Sequence, residues 1–201
     1  MNKLKNTMNS NKLIDNLVED THYLIKQVEQ NILPLPKEVL AYKTSEKAWS
    51  ILECIEHINI ANKHYHDQIE AKLRDQKTTP KETYSGGALG NYFTKMMKPK
   101  EDKTIPGKMK TMSKFYPVIS RAGGNQDEVI ESFLKDQQLL LSLLDKARSA
   151  NLAKIKIKSA LGGWLMFKLG DAFRFMSAHS ERHILQAMNV LEEYPSSVSE
   201  R

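Results

Sequence analysis

The residues with the clearest chemical potential are His179 and His183, four apart in the segment Ala172–Val190. On a helix at 100° per residue, with Ala172 at zero, they fall at about 340° and 20°, in the middle of a stripe shared with Met176, Ala187 and Val190. Imidazoles on successive turns project side by side, roughly 6 Å apart along the axis, so both can reach one ion. A single histidine on such a stripe is more often a hydrogen-bonded core residue; two together need a shared reason, and metal capture supplies one.

A metal centre of catalytic type takes about three protein ligands and keeps open positions, so a further histidine must come from elsewhere. The candidates are His22, His57, His64 and His66. His57 lies at the edge of an apolar helical stripe beside Cys54 and Ala61, with His64 two turns and roughly 10 Å further on, so one ion cannot use both. His66 sits in the polar run KHYHDQ and reads as solvated. His22 stays open, without a supporting pattern. The pentad His179-Ser180-Glu181-Arg182-His183 has no Glu directly after its first His, which excludes the zinc-protease pattern. No pair of helices offers two Glu-x-x-His motifs, so a mononuclear site is expected rather than a di-iron one.

The elements that must position these residues read as four long helices. Leu13, Ile14, Leu17, Leu24, Ile25 and Val28 recur at three- and four-residue steps, predicting a helix over about 10–32, stopped by Pro34 and Pro36. Ser50-Ile51-Leu52-Glu53 reads as a capping box opening a helix over about 51–75. Asn125 caps a third, 126–148, through Val129, Phe133, Leu140, Leu143 and Leu144, and the fourth spans 169–194 before Pro195 and a Ser-rich tail. Lys154–Lys158 alternates as a strand does, but is too short and isolated for a sheet and reads as an extended loop. The connection from about 76 to 125 has one short helical possibility, Ala88–Met97, and its length is of the kind that carries function. The expected class is all-α, a four-helix bundle with a long connection between helices 2 and 3, in one domain over 1–201.

Composition agrees with a globular chain: 201 residues, 40% hydrophobic and 27% charged, with 9 Gly and 7 Pro. The stretch near a helix free of charge and strong polarity, about Ser159–Phe167, is far below the roughly 18 residues that span a bilayer, so no membrane span is expected. Without a secretory signal pattern, and with Cys54 as the only cysteine, the expected location is the cytoplasm, and a disulfide framework or Cys-rich metal site is excluded. Most of the net charge of +6 lies in one segment, carried by Lys95, Lys98, Lys100, Lys103, Lys108, Lys110 and Lys114. Lysines without interleaved arginines and aromatics make a poor base-reading surface, so a solvated loop is expected there and nucleic acid is disfavoured.

Two motifs together, Trp49-Ser50-Ile51-Leu52-Glu53-Cys54-Ile55-Glu56-His57 and His179-x-x-Arg182-His183-x-x-Gln186, carry a family resemblance. The chain resembles the DinB-like (DinB/YfiT-like) superfamily of four-helix-bundle metalloproteins over nearly its whole length. The resemblance implies one histidine ligand from the second helix and two from the fourth, which fall on His57, His179 and His183, holding a divalent metal ion, commonly nickel or zinc. It implies a metal-dependent enzyme of thiol-transferase or hydrolase type acting on a small-molecule substrate, a low-molecular-weight thiol among the candidates, and a homodimer. The alternative is a non-catalytic metal-binding or scaffold bundle that engages a partner. Glu53 is explained by capping and Cys54 as a small buried residue, so neither is expected to be catalytic. Arg182 and Gln186 neighbour the pair and either orient ligands or pack.

Overall fold

The computed structural model describes residues 7–107, 110–118, 120, 125–162 and 164–195. Their order is β1 (Thr7–Asn9), α1 (Ser10–Asn31), α2 (Lys37–Ala41), α3 (Ile51–Arg74), β2 (Thr83–Ser85), α4 (Ala88–Met97), α5 (Gln126–Ala147), β3 (Lys156–Lys158), β4 (Met166–Lys168) and α6 (Leu169–Glu192), with a 3₁₀ turn at Ser113–Phe115. The mostly helical, all-α architecture agrees with the sequence, and α3 and α5 start at their expected caps, Ser50 and Asn125. Asn9 accepts from the Lys12 amide and Asn125 from the Asp127 amide. At α3 the capping box closes in both directions: Ser50 Oγ accepts from the Glu53 amide at 3.1 Å, and Glu53 Oε2 accepts from the Ser50 amide at 2.8 Å.

Two apolar clusters show how the helices run. One joins Leu13 and Leu17 of α1, Tyr65 and Ile69 of α3, Leu140 and Leu144 of α5, and Ala172 and Phe173 of α6. The other joins Leu24 and Val28, Ile51 and Ile55, Val129 and Phe133, and Ala187 and Val190. The first half of α1 thus meets the second half of α3, making them antiparallel. The first halves of α3 and α5 share a cluster, so these two run parallel, and α6 returns antiparallel to α5. A helix of 24 residues is about 36 Å long. The chain must therefore travel the length of α3 before α5 can begin, and that is the physical reason for the long connection.

That connection is more structured than expected. Residues 83–85 pair with residues 7–9 as an antiparallel ribbon in the register Thr7↔Ser85. Helix α4 then packs on the start of α6. There Tyr84 donates to Asp171 Oδ1 at 2.5 Å and the Gly87 amide to Asp171 Oδ2 at 2.9 Å. A Cβ on Gly170 would lie 2.7 Å from the Tyr84 ring, so this crossing requires glycine.

Lys154–Lys158 is not a loop throughout. Lys156–Lys158 pairs with Met166–Lys168, Ile157 opposite Phe167, and both of these side chains are buried in the first cluster. The alternation was the signature of a strand with one face inward. Its partner was hidden in the run Leu165–Leu169, which lacks any polar alternation of its own. Lys108 and the Ser-rich tail lie outside the described residues. No described helix is long and apolar enough to cross a membrane.

Candidate metal centre

Where the two apolar clusters meet, α3 and α6 face each other with polar side chains. His57, in the second turn after the α3 capping box, and His179 and His183, from successive turns of α6, converge there. Their ring centroids are 4.6–5.1 Å apart. One nitrogen from each lies within 4.8 Å of the others, and all three residues are buried. His57 Nε2 and His179 Nε2 are 3.2 Å apart. Two imidazole nitrogens on one ion at bond lengths of about 2.0–2.1 Å stand about 3 to 3.5 Å from each other, so the spacing suits coordination.

The surrounding hydrogen bonds set the protons. His57 Nδ1 is 2.8 Å from the Phe115 carbonyl, which only accepts, so Nδ1 carries the hydrogen and Nε2 presents its lone pair inward. His183 Nδ1 donates to Gln186 Oε1 at 3.0 Å, again leaving Nε2 as the donor atom for a metal. Burial pushes all three imidazoles below their ordinary pKa. The neighbouring histidines and Arg182 add to this at His179, and His57 and Arg182 do so at His183. The Phe115 carbonyl opposes it at His57, and Gln186 at His183. Neutral imidazoles with inward lone pairs are the chemistry that a divalent ion takes. The three histidines therefore fit a metal ion and could hold one.

Aromatic rings wall the triad. Trp49, one residue before the α3 cap, has its ring centroid 4.8 Å from that of His57 and 5.7 Å from that of His183. Phe175, one turn before His179, stacks on it at 5.9 Å and 16°. A cavity of about 800 Å³ opens from the histidines between these rings and the crossover segment. The crossover closes over α3 through Glu56. Its buried carboxylate accepts from the Val118 and Ser120 amides, both at 2.8 Å, and from Ser120 Oγ at 2.5 Å. Arg182 reaches the same segment, donating to the Pro106 and Gly107 carbonyls at 2.7 and 2.5 Å. The described lysines of this segment are exposed, as expected, but Phe115 is buried and the backbone serves the site, so the segment is not simply solvated.

The other histidines separate cleanly. His22 is exposed, and His64 Nε2 donates to the Lys158 carbonyl at 3.3 Å, away from the triad. His66 corrects an expectation: it is only 2% exposed, on the face of α3 toward α5. Because α3 packs against both α5 and α6, its polar-looking side is also interior. Glu53 is committed to the cap and to Lys43, 2.8 Å away. Cys54 is fully buried, and burial, reinforced by the charge of Glu53, pushes its thiol far up, which suits packing rather than nucleophilic attack.

Sequence reasoning missed the Phe115 carbonyl, for which no local signal exists. Phe175 could have been found from spacing, since it sits one helical turn before His179, whereas Trp49 and Gln186 already stood in the two motifs.

The fold and site define a helical protein with a buried three-histidine cluster at the meeting of two long helices. Residues 21–187 match the family model of the DinB superfamily, and the chain belongs to that superfamily. It matches no curated protein and no solved structure.

Proposed function

We propose that the protein holds one divalent metal ion, nickel or zinc, on His57, His179 and His183. It would then work as a metal-dependent enzyme of thiol-transferase or hydrolase type on a small molecule, as a homodimer in the cytoplasm. The observation that carries this reading is the convergence of three buried, neutral imidazoles whose Nδ1 atoms at His57 and His183 are tied to acceptors. When bound, the ion supplies Lewis-acid chemistry, making a nucleophile available from water or a thiol at neutral pH.

The protein's own residues supply the rest. The Phe115 carbonyl and Gln186 hold two rings in one tautomer and orientation. Trp49 and Phe175 pack on the rings and limit water around them. The cavity beside the triad is of a size to enclose a small organic molecule.

The test is elemental analysis of purified protein beside His57→Ala and His183→Ala. One ion per chain that disappears in both variants supports the site. Turnover of thiol-plus-electrophile pairs or of ester and amide panels, lost in His57→Ala, supports the enzyme. An ion without turnover on either panel favours the scaffold alternative, and activity unchanged in His57→Ala removes the enzyme reading.

A further inference from the structure

Arg182 is 6% exposed, and among the described residues no carboxylate pairs with it. Its guanidinium has five N–H donors, yet among the described residues its hydrogen bonds go only to the Pro106 and Gly107 carbonyls. Two carbonyl dipoles position a cation without neutralising it, and a buried charge lacking a counter-ion is costly. Arg182 lines the cavity beside the triad. The two other ionised side chains among the cavity's described lining residues, Lys47 and Lys110, are also cationic, and the lining includes no Asp or Glu. Between them the wall is apolar, built from Trp49, Met97, Ile105, Met112 and Phe175.

We propose that the cavity selects a molecule combining an anionic group, such as a carboxylate, with an apolar body, the anion seated on Arg182. The inference rests on the reading of the cavity as a substrate site and names the substrate class. A carboxylate accepts from the guanidinium in a two-pronged geometry that no neutral isostere reproduces. Lys47 and Lys110, exposed and in the lining, draw anions inward, and the aromatic and aliphatic wall takes the body. A cationic amine meets three positive charges there. Arg182 is thus a specificity-determining residue, and its carbonyl bonds keep the crossover segment in place as the cavity's outer wall.

The test is calorimetric titration with octanoate, octanamide and octylamine, on protein as purified and after chelation. Octanoate is expected to bind at least about tenfold more tightly than octanamide in both preparations, with octylamine weakest. Arg182→Gln brings octanoate and octanamide to within about twofold of each other, and Arg182→Lys retains part of the preference. Circular dichroism checks that each variant is folded. If Arg182→Gln does not fold, Arg182→Lys and the wild-type comparison decide. Equal binding of octanoate and octanamide by wild type overturns the proposal, as does a full preference in Arg182→Gln. A preference that vanishes on chelation also overturns it, because the carboxylate then sits on the ion. The ion count per chain is read separately, so a failed metal reading leaves this result standing, and the reverse holds too.

Discussion

His66 isolates what burial does to an imidazole that serves no ion. Neither of its ring nitrogens has a hydrogen-bond partner among the described residues, and burial lowers its pKa from 6.5 to about 4. Between those values the unfolded chain binds a proton that the folded chain refuses. Stability therefore rises as pH climbs from about 4 to about 6.5, is complete above that, and is lost on acidification, by about 3 kcal/mol in all. Unfolding free energies from urea titrations at pH 4.5 and 7 are expected to differ less in His66→Leu than in wild type, by most of that amount. Identical slopes in the two proteins would show that His66 stays neutral for no energetic reason. The residue was misread from sequence because its neighbours Lys63, His64 and Asp67 are polar. Yet Asn62, His66, Ile69 and Leu73 form a buried row at three- and four-residue steps on a helix interior on two sides. The pair His179 and His183 was legible for the opposite reason: its neighbours Met176, Ala187 and Val190 lie on a single apolar stripe.

At the scale of elements, the start of α3 matters most, since its cap fixes the turn that presents His57. Ser50→Ala removes the acceptor for the Glu53 amide and leaves the Glu53 carboxylate with half of its reciprocal arrangement. The expected loss is about 1 kcal/mol, read as a lower denaturant midpoint with an unchanged slope, and Ser50→Asp is expected to recover most of it. A loss confined to Ser50→Asp, with Ser50→Ala neutral, would contradict the capping account. These local signals explain why the four long helices could be read to within a few residues. The ribbon formed by Lys156–Lys158 and Met166–Lys168 could not, because a strand needs a partner, and the partner lay in an apolar run without alternation. The Phe115 carbonyl is further from legibility still. A backbone acceptor has no side-chain identity, and its meeting with His57 depends on the path of a crossover whose length follows from the parallel run of α3 and α5.

At the scale of the molecule, the triad ties together two helices that are far apart in the chain. His57 comes from α3, while His179 and His183 come from α6, and the crossover segment leans on the same place through Phe115, Glu56 and Arg182. An ion held by ligands from both helices binds the folded chain and not the unfolded one, so its free energy appears as folding stability. With free metal at about a hundred times its Kd, the expected gain is about 2.7 kcal/mol, which for a chain of this size raises Tm by about 5 to 10 °C. The measurement is a thermal melt with added zinc or nickel against one with chelator. His57→Ala is expected to melt at the same temperature in both. The gain should also fade in acid, because protons compete for the Nε2 lone pairs that the ion requires. A Tm unmoved by either metal in wild type, or moved equally in His57→Ala, would mean that the three rings meet without capturing an ion. The apolar clusters on either side would then hold α3 against α6 by themselves.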